Sequence, residues 1–196
     1  MLRGALWLGL AAALVGLSAC DNQAGGDNQA QAPAQSGEAR KAAGDKALAS
    51  GLAENSRFAA AAKAAGIDGT LAGPGPYTVI VPDDAAFNKL PAGMQEEWMK
   101  PESRAQLTSV LTYHILPGTV LAEDIGKAID NAKGTAVLAT MGGGTLSATR
   151  EGGKIVLTDG AGNKATVARA DDKFSNGVAH QIDGVLMPGQ PAAPQG

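Results

Sequence analysis

The sequence predicts an α+β domain, and three observations carry that prediction. Ala-rich segments with helical periodicity crowd the first half of the folded region, from Lys46 to His114. Short β-branched runs separated by Gly turns fill the second half, beyond Ile125. One early strand, Tyr77-Thr78-Val79-Ile80-Val81, interrupts the helices, so the two halves share strand structure.

The chain has 196 residues, enough for one ordinary domain with tails. Residues 1–19 read as a signal segment. A basic Arg3 precedes an apolar stretch from Gly4 to Leu17, shorter than the roughly 20 residues a membrane-spanning helix needs. Leu17-Ser18-Ala19-Cys20 then resembles the bacterial lipobox, which implies cleavage before Cys20 and lipidation of its sulfur. Cys20 is the chain's one cysteine, so no disulfide is expected in the mature fold. Asp21 next to it matches the residue that marks inner-membrane retention in enterobacterial lipoproteins. Residues 20–42 are rich in Asn, Gln, Ala and Gly, with Asp-Asn-Gln-Ala written twice. They can bury little apolar area and read as a tether about 25 Å in mean reach. The domain is expected over 43–188, and the Pro- and Gln-rich 189–196 as a disordered tail.

Within the domain, Lys46 to Ala53 and Ser56 to Ala65 are the first expected helices. Leu48 and Leu52 lie on one face, and Phe58, Ala61, Ala62 and Ala65 continue it. Asn55-Ser56 caps the second and Gly66 ends it. Gly73-Pro74-Gly75-Pro76 turns the chain into the Tyr77–Val81 strand. Pro82 stops that strand, and Asp83 caps a short helix running to Leu90. Pro101-Glu102 opens another helix, with Leu107, Val110, Leu111 and His114 on one face. Strands are then expected at Ala136–Thr140, Thr145–Thr149, Lys154–Thr158 and Ala165–Ala170. A last strand or strand pair covers Val178–Met187.

Three blocks, in order, resemble those of the fasciclin domain family. They are Gly75-Pro76-Tyr77-Thr78-Val79-Ile80-Val81-Pro82-Asp83-Asp84-Ala85-Ala86-Phe87, Leu111-Thr112-Tyr113-His114-Ile115-Leu116-Pro117-Gly118, and Ser175 through Pro188. The resemblance spans essentially the whole expected domain and implies a wedge-shaped β-sandwich flanked by N-terminal helices, of the kind found in secreted adhesion proteins. It departs where Val81 and Asp83 stand for the family's usual Ala and Thr, and where Ala179 and Gln181 flank the closing-block histidine. The implied fold-making residues are Asp83, Phe87, Asn176, Gly177, His180 and Asp183, with Asn176-Gly177 read as a tight turn needing positive φ. Asp124-Ile125 falls where some animal fasciclin domains carry an integrin-binding Asp-Ile element. With Tyr113 and His114 it forms the candidate interaction surface; the alternative is a helix start at Asp124, a buried Ile125 and a packing role for Tyr113.

The chemistry the residues could carry is narrow. His114 and His180 are the only histidines, so any acid–base or metal site must use them, with Asp124 or Asp183 as partners. The alternative is that each histidine bonds backbone inside the fold. No His-Glu-x-x-His, Gly-x-Ser-x-Gly, P-loop or dinucleotide pattern is present, so no catalytic residue, metal ligand or cofactor is assigned. Asp159-Gly160-Ala161-Gly162-Asn163 is closer to a hairpin turn than to a calcium loop, lacking the acidic ligand at position twelve. A net charge of −3 without a basic stripe argues against nucleic acid as a partner. The expected function is a membrane-anchored, extracytoplasmic binding or adhesion module in the cell envelope. Its partners would be membrane lipid through acylated Cys20 and a protein or polysaccharide. The alternative function is a periplasmic small-molecule or lipid carrier, with its pocket between sheet and helices.

Overall fold

A computed structural model describes residues 45–52 and 56–189. The expected signal segment, lipidation at Cys20, tether, the Asn55 cap and the tail from Gln190 onward lie outside the described residues.

Three short helices lead the domain: α1 (Leu48–Gly51), α2 (Arg57–Ala65) and α3 (Asp68–Ala72). Ser56 caps α2 by accepting the Ala59 N–H through its hydroxyl, and Gly66 ends it at φ 77°, in the left-handed region open to glycine. Strand β1 (Tyr77–Pro82) follows, with Thr78 to Pro82 all buried. Such an unbroken run marks a strand covered on both faces. Asp83 then caps α4 (Asp84–Asn88) by accepting the Ala86 N–H at 2.6 Å. Helix α5 (Met94–Trp98) and a single 3₁₀ turn (Pro101–Ser103) lead into α6 (Arg104–Tyr113). The remainder is β2 (Ile115–Pro117), α7 (Ala122–Asn131), β3 (Thr135–Ala139), β4 (Thr145–Glu151), β5 (Lys154–Thr158), β6 (Lys164–Phe174) and β7 (Gly177–Ile182).

The seven strands form one sheet in the order β2-β1-β7-β6-β5-β4-β3. All pairs are antiparallel except β1 with β7, which run parallel from Tyr77↔Gly177 to Pro82↔Ile182. The two ends of the sheet approach each other: Met141 N–H donates to Ile115 O at 2.8 Å, and Gly142 N–H to Thr112 O at 3.0 Å. The expected sandwich is therefore a single sheet brought close to a barrel.

Alternation along β1 divides the core in two. Val79 and Val81 face a helical core with Phe58, Phe87, Trp98, Leu107 and Leu111. Ile80 faces a sheet core with Ile125, Ile129, Leu146, Leu157 and Ile182. Ile115 and Leu116 repeat the division on β2.

Some boundaries differ from expectation, each for a physical reason. β6 runs to Phe174, through Asp171-Asp172-Lys173, because register shifts after Val167 and Arg169 let a charged segment stay in the sheet. Helix α7 was expected only as a start at Asp124; Ile125 and Ile129, four apart, bury its inner face while Glu123 and Lys127 pair outside. α6 stops at Tyr113, so His114 caps its C-terminus. The last strand ends at Ile182, and residues after it follow no strand.

The turn at Asn176-Gly177 corrects the expectation of positive φ, which neither residue adopts. Glycine is needed there for proximity: a Cβ on Gly177 would sit 2.0 Å from Tyr77 O and 2.9 Å from Leu48 Cδ1. Asn176 is held by its amide. Its Oδ1 accepts the Leu48 N–H at 2.8 Å, and its Nδ2 donates to Leu71 O and Gly73 O, both at 2.8 Å. One buried side chain thus fastens the leading helices to the closing hairpin.

Candidate functional site

The Tyr113-His114 pair sits where α6 hands the chain to β2, and both side chains point inward at about 1% exposure. His114 Nδ1 lies 2.8 Å from Val110 O and must donate, because a carbonyl can only accept. Its Nε2 accepts the Leu186 N–H at 3.2 Å. These two bonds fix the neutral Nδ1–H tautomer and leave neither nitrogen free. Burial drives its pKa from 6.5 down to about 4, although the Val110 bond and the Asp159 charge oppose the shift. The ring meets Phe58 edge-on at 6.3 Å between centroids.

Asp159 organises the neighbouring loop. Its carboxylate accepts N–H bonds from Ala161 (2.9 Å), Asn163 (2.8 Å) and Met187 (2.7 Å), and a side-chain bond from Asn163 (2.8 Å). The Asp159–Asn163 loop, expected as a hairpin turn, is centred on a carboxylate whose oxygens accept from protein donors. Tyr113 Oη donates to Thr145 O at 2.6 Å and accepts the Gly160 N–H at 3.3 Å. Desolvation raises its pKa; the Gly160 bond opposes that rise and the Asp159 charge adds to it.

His180 takes the opposite tautomer. Its Nε2 donates to Val120 O at 2.8 Å, while Nδ1 accepts the Asp171 N–H at 3.1 Å. Asp171, at φ 63° in a β6 irregularity, turns its own Oδ1 to the Ala122 N–H at the start of α7, 2.9 Å away. Asp183 is spent on the β6 edge, accepting the Thr166 N–H at 2.7 Å. Phe87 is a buried core residue.

Of the four residues expected to form an interaction surface, only Asp124 is exposed. Tyr113, His114 and Ile125 are corrected to interior positions, because each fills the core or satisfies buried backbone. Asp124 Oδ2 accepts the Leu121 N–H at 3.1 Å, a first-turn cap that also suits the positive end of the α7 dipole. Asp124→Ala is expected to lower stability by only about 0.5–1 kcal/mol, measured by urea unfolding, since Asp171 still caps the same turn. A loss several times larger would show that α7 depends on Asp124 alone. The two histidines do not converge with Asp124 or Asp183, and among the described residues no three His, Cys, Asp or Glu side chains are grouped to hold a metal.

The sequence reading missed a hollow among α2, α4, α5 and α6. An apolar cavity of about 80 Å³ is lined by Ala60, Ala61, Phe87, Trp98, Met99 and Leu107. A wider, polar recess of about 300 Å³ adjoins it, bordered by Asn88, Pro91, Gly93 and Glu96. Arg57, Phe87 and Gln95 border both. Nothing in the spacing of Arg57, Asn88 and Gln95 announces that they meet, because they come from three helices. The cavity lies between helices, and not between sheet and helices as the carrier alternative had it.

Known proteins give the geometry a context. The model of the fasciclin domain matches residues 53–188. Protein sll1483 of Synechocystis is 37% identical over 72% of this chain and 71% of its own length. Human periostin is 34% identical over 68% of this chain, which accounts for 14% of periostin. Porcine transforming growth factor-beta-induced protein ig-h3 is 30% identical over 68% of this chain and 17% of its own length. Among solved structures, a FAS1 domain pair from the insect cell adhesion molecule fasciclin I superposes with a TM-score of 0.61 at 20% identity, covering 72% of this chain and 51% of that one.

Proposed function

The chain belongs to the fasciclin family, whose domains generally serve as adhesion or extracellular binding modules, and on that premise we propose that it is a non-catalytic module tethered by a lipid anchor outside the cytoplasm, binding a protein or polysaccharide. One observation carries the non-catalytic part. The side chains most able to do chemistry, His114, His180, Asp159, Asp171 and Asp183, have their bonds taken up by the fold. What the domain offers a macromolecular partner is its outer surface, including Asp124 at the start of α7.

The anchor rests on the Leu17-Ser18-Ala19-Cys20 motif, and about 0.8 kcal/mol per buried CH₂ makes two or more acyl chains a firm hold. Presentation on a tether lets weak single contacts add up across a cell surface. Cys20→Ala is expected to move the protein from the membrane fraction to the soluble one, read by fractionation and blotting. Unchanged membrane association would remove the lipid anchor from this reading. Adhesion itself is tested by protease shaving of intact cells beside a periplasmic control. Cleavage of the domain with the control spared supports contact with other cells or matrix; protection of both until the outer membrane is opened rules out direct cell adhesion.

A further inference from the structure

The hollow among α2, α4, α5 and α6 has a chemistry of its own. Arg57 donates from Nη1 to both Asn88 Oδ1, at 2.8 Å, and Gln95 Oε1, at 3.0 Å. These bonds hold the guanidinium at the junction of the polar recess and the apolar cavity. They also orient the two amides: with each oxygen turned toward Arg57, the NH₂ groups of Asn88 and Gln95 turn away from it. Both bonds leave from Nη1, and among the described residues no hydrogen bond engages Nη2 or Nε, so these two nitrogens remain as donors at the mouth of the cavity. Among the described residues no carboxylate is ion-paired with Arg57; Asp84 accepts the Arg57 backbone N–H at 3.0 Å. Glu96 on the rim is exposed and opposes an anion through solvent, where such repulsion is weak.

Beneath this polar mouth the walls are Phe87, Trp98, Leu107 and Ala61, all buried, with the more exposed Met99 beside them. The cavity, at about 80 Å³, has roughly half the 150 Å³ that accepts benzene in a dry protein interior. Its size suits a compact aliphatic group and excludes a long acyl chain.

We propose that this hollow is a binding site for a carboxylate bearing a compact branched aliphatic group, with the carboxylate on Arg57, whose guanidinium Asn88 and Gln95 hold in place, and the aliphatic end over Phe87, Trp98 and Leu107. The free acid and the C-terminal carboxylate of a peptide ending in Leu or Val present the same chemistry. The site is independent of the adhesion reading, because it lies in the helical part and uses no residue of the α7 surface.

Trp98 gives the readout: the chain's other tryptophan, Trp7, lies in the segment that cleavage before Cys20 would remove, and Trp7→Phe leaves Trp98 alone in uncleaved protein too. Titration of the Trp7→Phe protein with isovalerate is expected to change fluorescence saturably, with a Kd on the order of 1 mM for so small a ligand. The neutral isostere 3-methyl-1-butanol should bind at least tenfold more weakly. Arg57→Gln should lose the carboxylate preference. Ala60→Leu, which adds bulk at an exposed position lining the cavity, should abolish binding while leaving circular dichroism unchanged. A short peptide ending in Leu separates the sources: tighter binding than isovalerate, lost on C-terminal amidation, assigns the site to chain ends, and binding of isovalerate alone assigns it to a free acid. Equal affinity for acid and alcohol, or no saturable response from isovalerate or peptide, overturns the proposal. So does undiminished carboxylate binding by folded Arg57→Gln or Ala60→Leu.

Discussion

Asn176→Ala is expected to destabilise the domain by about 3–6 kcal/mol, enough to leave much of the protein unfolded at physiological temperature. Three buried or partly buried backbone groups depend on its amide: the Leu48 N–H and the carbonyls of Leu71 and Gly73. Each group left without a partner costs roughly 1–3 kcal/mol, and the whole domain has only about 5–15 kcal/mol to lose. The midpoint of thermal unfolding should fall by about 10–20 °C. Asn176→Asp makes the stricter test. It keeps an acceptor for Leu48 but sets a carboxylate oxygen against two carbonyls, so near neutral pH it should be no more stable than Asn176→Ala. A midpoint within about 2 °C of the parent protein for both variants would show that the triple contact holds little.

The second large effect is a dependence on pH. His114 is buried neutral, with its pKa lowered from 6.5 to about 4. Between those values the unfolded chain binds a proton that the folded chain refuses, so stability rises with pH across that window. The contribution is fully present above about pH 6.5 and is lost progressively as pH falls toward 4, a total on the order of 3 kcal/mol. The exposed pairs Glu97–Lys100 and Glu123–Lys127 act lower down. Hydrogen bonds from the lysines hold both glutamates below their ordinary 4.5, and what they contribute fades as pH falls beneath that value. Urea unfolding between pH 7.5 and 4 measures the slope. In His114→Gln the slope should be shallower whatever the variant's absolute stability; an identical slope would show that another group carries the pH dependence.

How much of this was legible in the sequence depended on how local the cause was. Ser56, Gly66 and Asp83 act within one helical turn of themselves, and their capping roles follow from residue type and position. β1 announced itself by five consecutive strand-forming residues. β6 was legible only as far as Ala170, because Asp171-Asp172-Lys173 has the composition of a loop, and only the pairings Asp172↔Ala179 and Lys173↔Val178 keep that stretch in the sheet. α7 was hidden by Gly126 and by a polar face, with only Ile125 and Ile129 to mark the buried side. The candidate surface failed at Tyr113, His114 and Ile125 for a related reason. A motif in the chain says that residues matter together, but whether a side chain points in or out is decided by partners such as Leu186 and Thr145, far along the sequence. The Arg57 hollow draws on four helices and could be found only in space.

The parallel pairing of β1 with β7 joins Tyr77 to Gly177 across most of the domain. Loop closure over such a separation precedes the contacts that reward it, so folding is expected to be slow for a domain of this size. The pairing also imposes an order of events on a chain that emerges N-terminus first, from a ribosome or through a membrane pore. Until the segment after Asn176 is out, β1 lacks its neighbour and the Leu48 N–H lacks its acceptor. Nearly the whole domain must wait, unsealed, for its last strand. During that wait the apolar run from Val79 to Val81 is exposed on one edge, where a chaperone or another nascent copy can reach it.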